Sequence, residues 1–192
     1  MPREYFMETR RLRFSRWTPE DGELARLLWG DPEVTRYISA DGIFTEEQIA
    51  ARLALEVENQ AMYGVQYWPV FLAESGELAG CCGLRPRTRS GSAEAPAVKE
   101  SLVFELGFHL RPRFWRQGLA VEGARAAMAY AYFVLGADAL FAGHNPRNER
   151  SREVLLGLGF RLTGEEFYPP TGLMHPSYEL LREDWDPTRE RP

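Results

Sequence analysis

The part of the sequence that most constrains the fold is an apolar stretch that turns through a glycine into an alanine-rich helical pattern. Residues 102–110 have the composition of a strand, and residues 118–135 have the spacing of a long amphipathic helix. Gly118 stands at the bend, where a residue without Cβ lets the backbone approach a ligand closely. Backbone N–H groups converge at such a bend, and the positive end of the helix dipole adds to them. The segment therefore predicts a site for an anionic group that needs no lysine.

The remaining periodicity predicts an α+β fold in one domain spanning residues 1–192. Thr18 and Pro19 are typical of a helix start, and Leu24, Leu27 and Leu28 would form that helix's buried face. Residues 85–99 predict a long mobile loop, and residues 186–192 predict a polar tail. The predicted helices cover 18–29, 45–60, 118–135 and 148–158, and the predicted strands cover 9–18, 67–73, 78–84, 102–110, 140–144, 160–166 and 177–181.

Composition excludes several classes of protein. The net charge is −5, and the 23 basic residues include a single lysine, Lys99, and no long basic block, so a dedicated nucleic-acid binder is not expected. No uncharged apolar stretch approaches the ~18 residues of a membrane span, and the first residues lack a signal-peptide core. Cys81 and Cys82 are adjacent in a predicted strand and point to opposite faces, so they build neither a disulfide framework nor a zinc site. We therefore expect a cytoplasmic protein that binds no metal, as a monomer or a homodimer.

Three short motifs add a family resemblance: Arg116-Gln117-Gly118-Leu119-Ala120, Asn148-Glu149-Arg150-Ser151 and Leu158-Gly159-Phe160. In order and spacing they resemble the GNAT superfamily of N-acetyltransferases. They are most similar to its branch that acetylates protein amino termini, typified by the ribosomal-protein alanine N-acetyltransferases. Two further stretches also look like that branch: Glu8-Thr9-Arg10-Arg11-Leu12 and Asp31-Pro32-Glu33-Val34. The resemblance covers residues 8–184 and implies the GNAT fold, a mixed central sheet of about six to seven strands flanked by about four helices.

The resemblance implies acetyl-CoA as the acetyl donor and assigns residues to it. The pantetheine arm would lie along the backbone of Phe108, His109 and Leu110, and Asn148 would bond one of its amides. Trp115 stands where many members have Gln or Arg, a departure that this branch commonly tolerates. The pyrophosphate would rest on the amides of six consecutive residues: Arg116, Gln117, Gly118, Leu119, Ala120 and Val121. The 3′-phosphate would meet the charges of three arginines: Arg111, Arg113 and Arg116.

Two residues are candidate catalytic groups. Glu105 is the one acid in the predicted strand 102–110, and the resemblance places an acceptor-side carboxylate on this strand. The departing thiolate usually takes its proton from a tyrosine in this superfamily, but Leu155 occupies the matching position. Ser151, one helical turn earlier, is the substitute that the branch suggests, as the donor or through a bound water. His175 and Tyr178 lie in or beside the loop 168–176, which overhangs the acceptor groove in the family, and are candidate substrate-binding residues.

Together these features predict an N-acetyltransferase that moves an acetyl group from acetyl-CoA to a primary amine by direct transfer in a ternary complex. An α-amino group of a protein or peptide is the favoured acceptor. Neutralising an α-amine of pKa ~8 at pH 7 costs about 1.4 kcal/mol, against about 4.6 kcal/mol for a lysine. Two alternatives stay open. One is an enzyme that acetylates a small-molecule amine such as a polyamine, an amino acid or an aminoglycoside, and the other is a catalytically silent CoA-binding regulatory module.

Overall fold

The structure, a computed structural model, describes residues 3–87 and 102–188. Within these ranges eight strands form one mixed sheet in the order β1-β2-β3-β4-β5-β6-β8-β7, and β5 and β6 are its parallel pair. The α+β class is confirmed. The sheet has one strand more than the seven predicted ranges, because β1 precedes the predicted range 9–18 and forms a hairpin with β2, the strand inside that range. The strands are β1 Met7–Glu8, β2 Leu12–Phe14, β3 Tyr67–Leu72, β4 Leu78–Arg87, β5 Val103–Leu110, β6 Ala139–Gly143, β7 Arg161–Tyr168 and β8 Leu173–Leu181.

Five α-helices occur in the described residues, at α1 Gly22–Trp29, α2 Pro32–Thr35, α3 Glu46–Tyr63, α4 Leu119–Ala129 and α5 Glu149–Gly157. Helix α3 starts where predicted, because Thr45 forms a reciprocal capping box with Gln48. Helix α4 continues as a wider π-helical turn, Tyr130–Leu135, and so reaches the predicted end. No helix in the described part of the chain is long and apolar enough to cross a membrane.

The predicted start of α1 at Thr18 was wrong. The Asp21 carboxylate accepts hydrogen bonds from the N–H and the hydroxyl of Thr18, at 2.9 and 3.1 Å, and the helix begins only at Gly22. These bonds fold the predicted first helical turn into a separate turn. The buried face also differs from the predicted one, since Leu28 and Trp29 are fully buried whereas Leu27 is 45% exposed.

Helices cover both faces of the sheet. Gly123 of α4 lies so close to one face that a Cβ there would be 3.3 Å from the Cys82 sulfur. The small side chains of Ala124 and Ala127 are fully buried at the same contact, as expected for a helix that packs tightly on a sheet. Cys81 belongs to the separate core under α1 and α3, which confirms that the two cysteines point to opposite faces.

The two parallel strands at the centre of the sheet separate part of the way along their length. Strand β5 pairs with β4 from Val103 to Leu110, but with β6 only from Val103 to Glu105. From residue 106 onward no pairing with β6 is formed in the described chain, so that edge of β5 borders an opening. The opening lies beside the N-terminal end of α4 and positions the site described below.

Two predicted loops differ from the structure. Residues 85–87 belong to β4, where Arg85 pairs with Glu105 and Arg87 pairs with Val103, so the predicted loop 85–99 starts too early. Its residues 88–99 lie outside the described ranges, as do residues 189–192 of the predicted polar tail. The predicted loop 168–176 was also wrong in extent, because β7 runs to Tyr168 and β8 begins at Leu173. Only a tight turn of residues 169–172 connects the two strands.

Candidate active site

A cavity of about 490 Å³ fills the opening between β5 and β6. Its walls come from β5, from the loop and first turn of α4, from α5 and from the β7–β8 hairpin. Most of the predicted site residues line it, although Gln117 and Tyr178 do not. Those that do are Glu105, Phe108, His109, Leu110, Arg116, Gly118, Leu119, Ala120, Val121, Asn148, Ser151 and His175.

The loop before α4 has the geometry of an anion-binding site. Gly118 has a left-handed φ of 76° and stands at the N-cap of α4, and no side-chain cap covers the helix start. The N–H of Glu122 is the first to bond back within the helix, to the Gly118 carbonyl at 3.1 Å. The N–H groups of Leu119, Ala120 and Val121 precede it, so they have no carbonyl one turn earlier to bond. These three amides lie at the positive end of a helix, and their residues line the cavity.

Two of the three arginines predicted to lie near a nucleotide phosphate are engaged elsewhere. Arg111 and Arg113 each donate to the Glu77 carboxylate, at 2.9 and 2.7 Å, and neither lines the cavity. Arg116 does line it, and so does Arg150, whose guanidinium lies 5.5 Å from the Trp115 ring centroid. The cationic side chains at this end of the cavity are therefore Arg116 and Arg150.

Glu105 is held from two sides at the other end of the cavity. The Tyr67 hydroxyl donates to one carboxylate oxygen at 2.6 Å, and an Arg87 nitrogen lies 3.7 Å from the other. Arg87 is also paired with Glu166 of β7. The Glu105 side chain remains 38% exposed, so the carboxylate has fixed partners and still reaches the cavity.

Tyr67 reaches Glu105 because β5 has a glycine beneath its ring. A Cβ on Gly107 would lie 2.2 Å from the Cζ atom of Tyr67, so any other residue would displace the ring. The Arg85 guanidinium sits 4.3 Å from the same ring centroid and pairs with Glu56, which is fully buried. Burial, together with the charge of Glu105, holds the pKa of Tyr67 well above its ordinary value. The phenol therefore stays protonated and acts as the donor.

His109 lines the cavity, and Cys81 lies next to it, outside the cavity lining. The Trp29 indole N–H donates to His109 Nδ1 at 3.2 Å, and the Cys81 sulfur lies 3.7 Å from the same nitrogen. Burial and the nearby charges of Arg52 and Arg85 lower the pKa of His109 well below its ordinary value, so the imidazole is neutral. Burial and the charge of Glu56 raise the pKa of Cys81 to about 12. A thiol in this state is a poor nucleophile.

Helix α5 presents Ser151 to the cavity from its first turn. Asn148 is the N-cap, and its side-chain oxygen accepts from the Ser151 N–H at 3.2 Å. This bond uses the backbone of Ser151 and leaves its hydroxyl for the cavity. Leu155, one turn further on, is buried in the same wall, so no hydroxyl stands at the position where the resemblance expects a tyrosine.

His175 and Tyr178 both belong to strand β8 rather than to a loop. His175 is buried, bonds the Thr171 hydroxyl at 2.9 Å and lines the cavity. Burial and the neighbouring His144 lower the pKa of His175 below its ordinary value. The Tyr178 hydroxyl instead lies 3.1 Å from His144 Nε2. Tyr178 therefore contacts the acceptor end only through His144, which lines the cavity.

Sequence reasoning missed several residues that line the acceptor end. Tyr67, Arg85, Arg87 and His144 all do so, and no periodicity singles them out. One signal was present, because a glycine inside a strand often marks a close approach by another group. Gly107 is such a glycine, and the group that approaches it is the Tyr67 ring.

Comparisons with known proteins agree with this geometry. Residues 11–161 match the acetyltransferase (GNAT) domain. The FsC-acetyl coenzyme A-N(2)-transacetylase of Aspergillus fumigatus is 31% identical over 191 residues, which cover 93% of this chain and 77% of that protein. The fold and the family match define an N-acetyltransferase that uses acetyl-CoA. The chain belongs to the GNAT acetyltransferase family.

Solved structures share the fold. The GNAT-family acetyltransferase from Bacillus anthracis has a TM-score of 0.71 at 22% identity, covering 93% of this chain and 99% of that one. The ribosomal-protein-S5-alanine acetyltransferase from Vibrio fischeri has a TM-score of 0.68 at 18% identity, covering 94% and 98% respectively. At these identities the likeness concerns the fold, and the predicted GNAT fold is confirmed.

Proposed function

We propose that this enzyme acetylates an α-amino group at the end of a peptide or protein chain. The observation that carries the proposal is the setting of Glu105, whose carboxylate is bonded by the Tyr67 phenol and faced by Arg87. These two partners fix the carboxylate beside the cavity, where it can accept the proton that an acceptor amine gives up, so an amine that loses this proton at little cost suits the site best. An α-amine at pH 7 needs about 1.4 kcal/mol for this, against about 4.6 kcal/mol for a lysine.

The residues of the cavity divide the work of direct transfer. When bound, acetyl-CoA supplies the acetyl group as a thioester. The N–H groups of Leu119, Ala120 and Val121 would hold its pyrophosphate. As the C–N bond forms and the C–S bond breaks, Glu105 accepts the proton that the acceptor nitrogen loses, directly or through water. The Ser151 hydroxyl, or a water beside it, gives a proton to the departing sulfur.

The backbone of Phe108, His109 and Leu110 supports the pantetheine assignment, because no strand among the described residues pairs with this edge of β5 on the side of the opening. Asn148 uses only its side-chain oxygen for the helix cap, so its amide N–H₂ can still donate to the arm. The buried thiols of Cys81 and Cys82 line no part of the cavity, which favours direct transfer over an acetyl-cysteine intermediate.

The walls of the acceptor end also favour a chain terminus. The Ala40 N–H donates to the Pro170 carbonyl at 2.8 Å, and the Asn145 side chain donates to the Tyr37 carbonyl at 3.2 Å. These bonds tie the segment after α2 to the β7–β8 turn and to the end of β6. A flexible chain end can enter such a walled space, whereas an internal side chain would have to bring the folded surface around it up to the walls.

A small-molecule amine is the second candidate acceptor. The A. fumigatus relative is named as an acetyl coenzyme A-N(2)-transacetylase, and it is closer in sequence than the ribosomal-protein acetyltransferase. The same two-partner carboxylate would serve a small amine of low basicity equally well. The family match favours either enzyme over the catalytically silent CoA-binding module.

The deciding experiment measures release of the CoA thiol against three sets of amines. The first set is peptides with a free amino terminus and varied first residue, and the second is the same peptides with a blocked terminus and an internal lysine. The third set is polyamines, free amino acids and aminoglycosides. We expect the highest kcat/KM in the first set. Turnover confined to the third set would establish the small-molecule candidate, and preferred turnover of the blocked lysine peptides would contradict the argument from Glu105.

A further inference from the structure

An arginine at the start of the sheet is bonded to the loop that precedes α4. Arg11 Nη1 donates to the Gln117 carbonyl at 2.8 Å, and its Nη2 is the atom nearest to a Cβ built on Gly118, at 3.5 Å. Arg11 is the last residue of the β1–β2 turn and is separated from Gln117 by 106 positions in the sequence. The contact therefore joins the N-terminal hairpin to the proposed pyrophosphate site.

The same arginine is fixed by a carboxylate of α4. Glu122 accepts from Arg11 Nε at 2.6 Å, from the Arg11 N–H at 2.8 Å and from the Thr9 hydroxyl at 2.6 Å. Of these three charge-assisted bonds, the one from Nε orients the guanidinium, and the other two fix the backbone of the turn that carries it. Burial disfavours the charged carboxylate, but the bonds from Thr9 and Arg11 outweigh it and lower the pKa of Glu122. Glu122 is thus a fixed anchor at neutral pH.

The loop that Arg11 holds is conformationally unfavourable. Arg116 has a φ of 61° and is the non-glycine residue with positive φ in the described chain, and Gly118, two positions later, has a φ of 76°. A left-handed conformation at a residue with a Cβ is disfavoured, so such a loop needs outside contacts to keep its shape. Gln117, whose carbonyl Arg11 bonds, lies between these two residues.

We propose that Arg11, anchored by Glu122 and Thr9, is a positioning residue that holds the 116–118 loop in its anion-binding conformation before acetyl-CoA arrives. Its guanidinium bonds the loop from behind through the Gln117 carbonyl and does not line the cavity. The gain is preorganisation, because a loop that is already shaped loses less conformational freedom when a ligand binds. The proposal does not depend on which amine is the acceptor.

The first test is the affinity of the purified full-length protein for CoA, measured by calorimetry without any acceptor. We expect Arg11→Met to raise the Kd about tenfold, equivalent to about 1.4 kcal/mol, with kcat at saturating acetyl-CoA almost unchanged. Arg11→Lys should resemble Arg11→Met, since a lysine keeps the charge but cannot bond Glu122 and the Gln117 carbonyl in the same fork. The matched control is Arg13→Met, because Arg13 lies on the same hairpin and pairs with Glu8 at the surface.

The second test asks whether the loop conformation is what Arg11 holds. Arg116→Ala and Arg116→Gly both remove the side chain, but only glycine adopts a positive φ without strain. If Arg11 stabilises the strained loop, Arg11→Met should raise the Kd for CoA several-fold less in the Arg116→Gly background than in the Arg116→Ala background. The melting temperature of each protein without ligand shows whether it folds.

Three results would overturn the proposal. An unchanged Kd for CoA in a folded Arg11→Met protein would do so, whatever the change in melting temperature. Wild-type affinity for CoA in Arg11→Lys would show that the positive charge at this position is sufficient and that the fork of the guanidinium is not needed. Failure of the wild-type protein to bind CoA would show that the proposed CoA site does not exist. A failure of the acceptor panel, by contrast, leaves the Kd for CoA unaffected and so is distinguishable from all three.

Discussion

The acceptor end of the cavity is organised around one carboxylate with two partners. Tyr67 and Arg87 hold Glu105 in place, and Gly107 gives the Tyr67 ring the room to do so. Removing the charge from this carboxylate tests its role directly, because the amide of glutamine keeps the shape and can still accept from the phenol.

We expect Glu105→Gln to lower kcat about 100-fold, the lower end of the range for a general base, with the Kd for CoA unchanged. The measurement is steady-state kinetics with the best amine of the acceptor panel. Glu165→Gln is the control, since Glu165 lies on β7 outside the lining of this cavity. Full activity of Glu105→Gln across the pH range would show that Glu105 is not the proton acceptor.

Ser151→Ala tests the proposed proton donor. The helix cap uses the Ser151 N–H and not its hydroxyl, so the variant should keep its melting temperature. We expect kcat to fall about tenfold, less than the roughly 100-fold lower end of acid–base effects, because a nearby water can supply part of the proton transfer. Wild-type kcat in this variant would show that the departing sulfur takes its proton from water and not from the Ser151 hydroxyl.

At the scale of elements, the start of α4 and the end of α3 carry a matched pair of glycines. Gly118 at the start of α4 has a φ of 76°, and Gly64 after α3 has a φ of 72°. A Cβ would meet only Arg11 at Gly118, at ordinary contact distance, and nothing within 4 Å at Gly64. The two positions therefore differ in location and not in steric room.

Alanine at either glycine should lower the free energy of unfolding by about 1 kcal/mol, because a left-handed conformation disfavours a Cβ. Only Gly118→Ala should also weaken CoA binding, since its backbone lies at the proposed pyrophosphate site. Chemical denaturation and calorimetry measure the two effects separately. Equal CoA affinities in Gly118→Ala and Gly64→Ala would contradict the assignment of the loop.

At the scale of the whole molecule, folding holds His109 neutral between Trp29, Tyr67 and Cys81. The pKa of His109 is lowered by burial and by nearby arginines, so the unfolded chain binds a proton more readily than the folded one. Stability from this source is present above the unfolded pKa of about 6.5 and is lost as the pH falls below it.

We expect the free energy of unfolding to decrease by up to about 1.4 kcal/mol per pH unit below pH 6.5 on account of this one histidine. His109→Asn keeps a group that can accept from the Trp29 indole but cannot be protonated, so its slope should be smaller. Urea titrations at several pH values between 5 and 7.5 measure both slopes. Parallel slopes for the two proteins would show that His109 does not control the acid sensitivity.

The sequence by itself determined the local features of the protein. Strand and helix periodicity, the Thr45 capping box and the glycine bend at Gly118 are short-range signals, because the residues that form them are neighbours in the chain. They yielded the α+β class, and most of the site residues that the motifs and the resemblance nominated line the cavity. The family resemblance rested on motifs of the same local kind.

Only the tertiary structure decided the contacts between distant segments. The bond from Tyr67 to Glu105 spans 38 positions, and the bond from Arg11 to Glu122 spans 111. No local pattern records such a pairing, because it depends on which strands become neighbours in the sheet and on where the glycines leave room.

Arg111 and Arg113 show that a local pattern also does not reveal which distant residue a charged side chain will bond. Their charge made them candidates for a phosphate, but folding placed Glu77 within bonding distance of both.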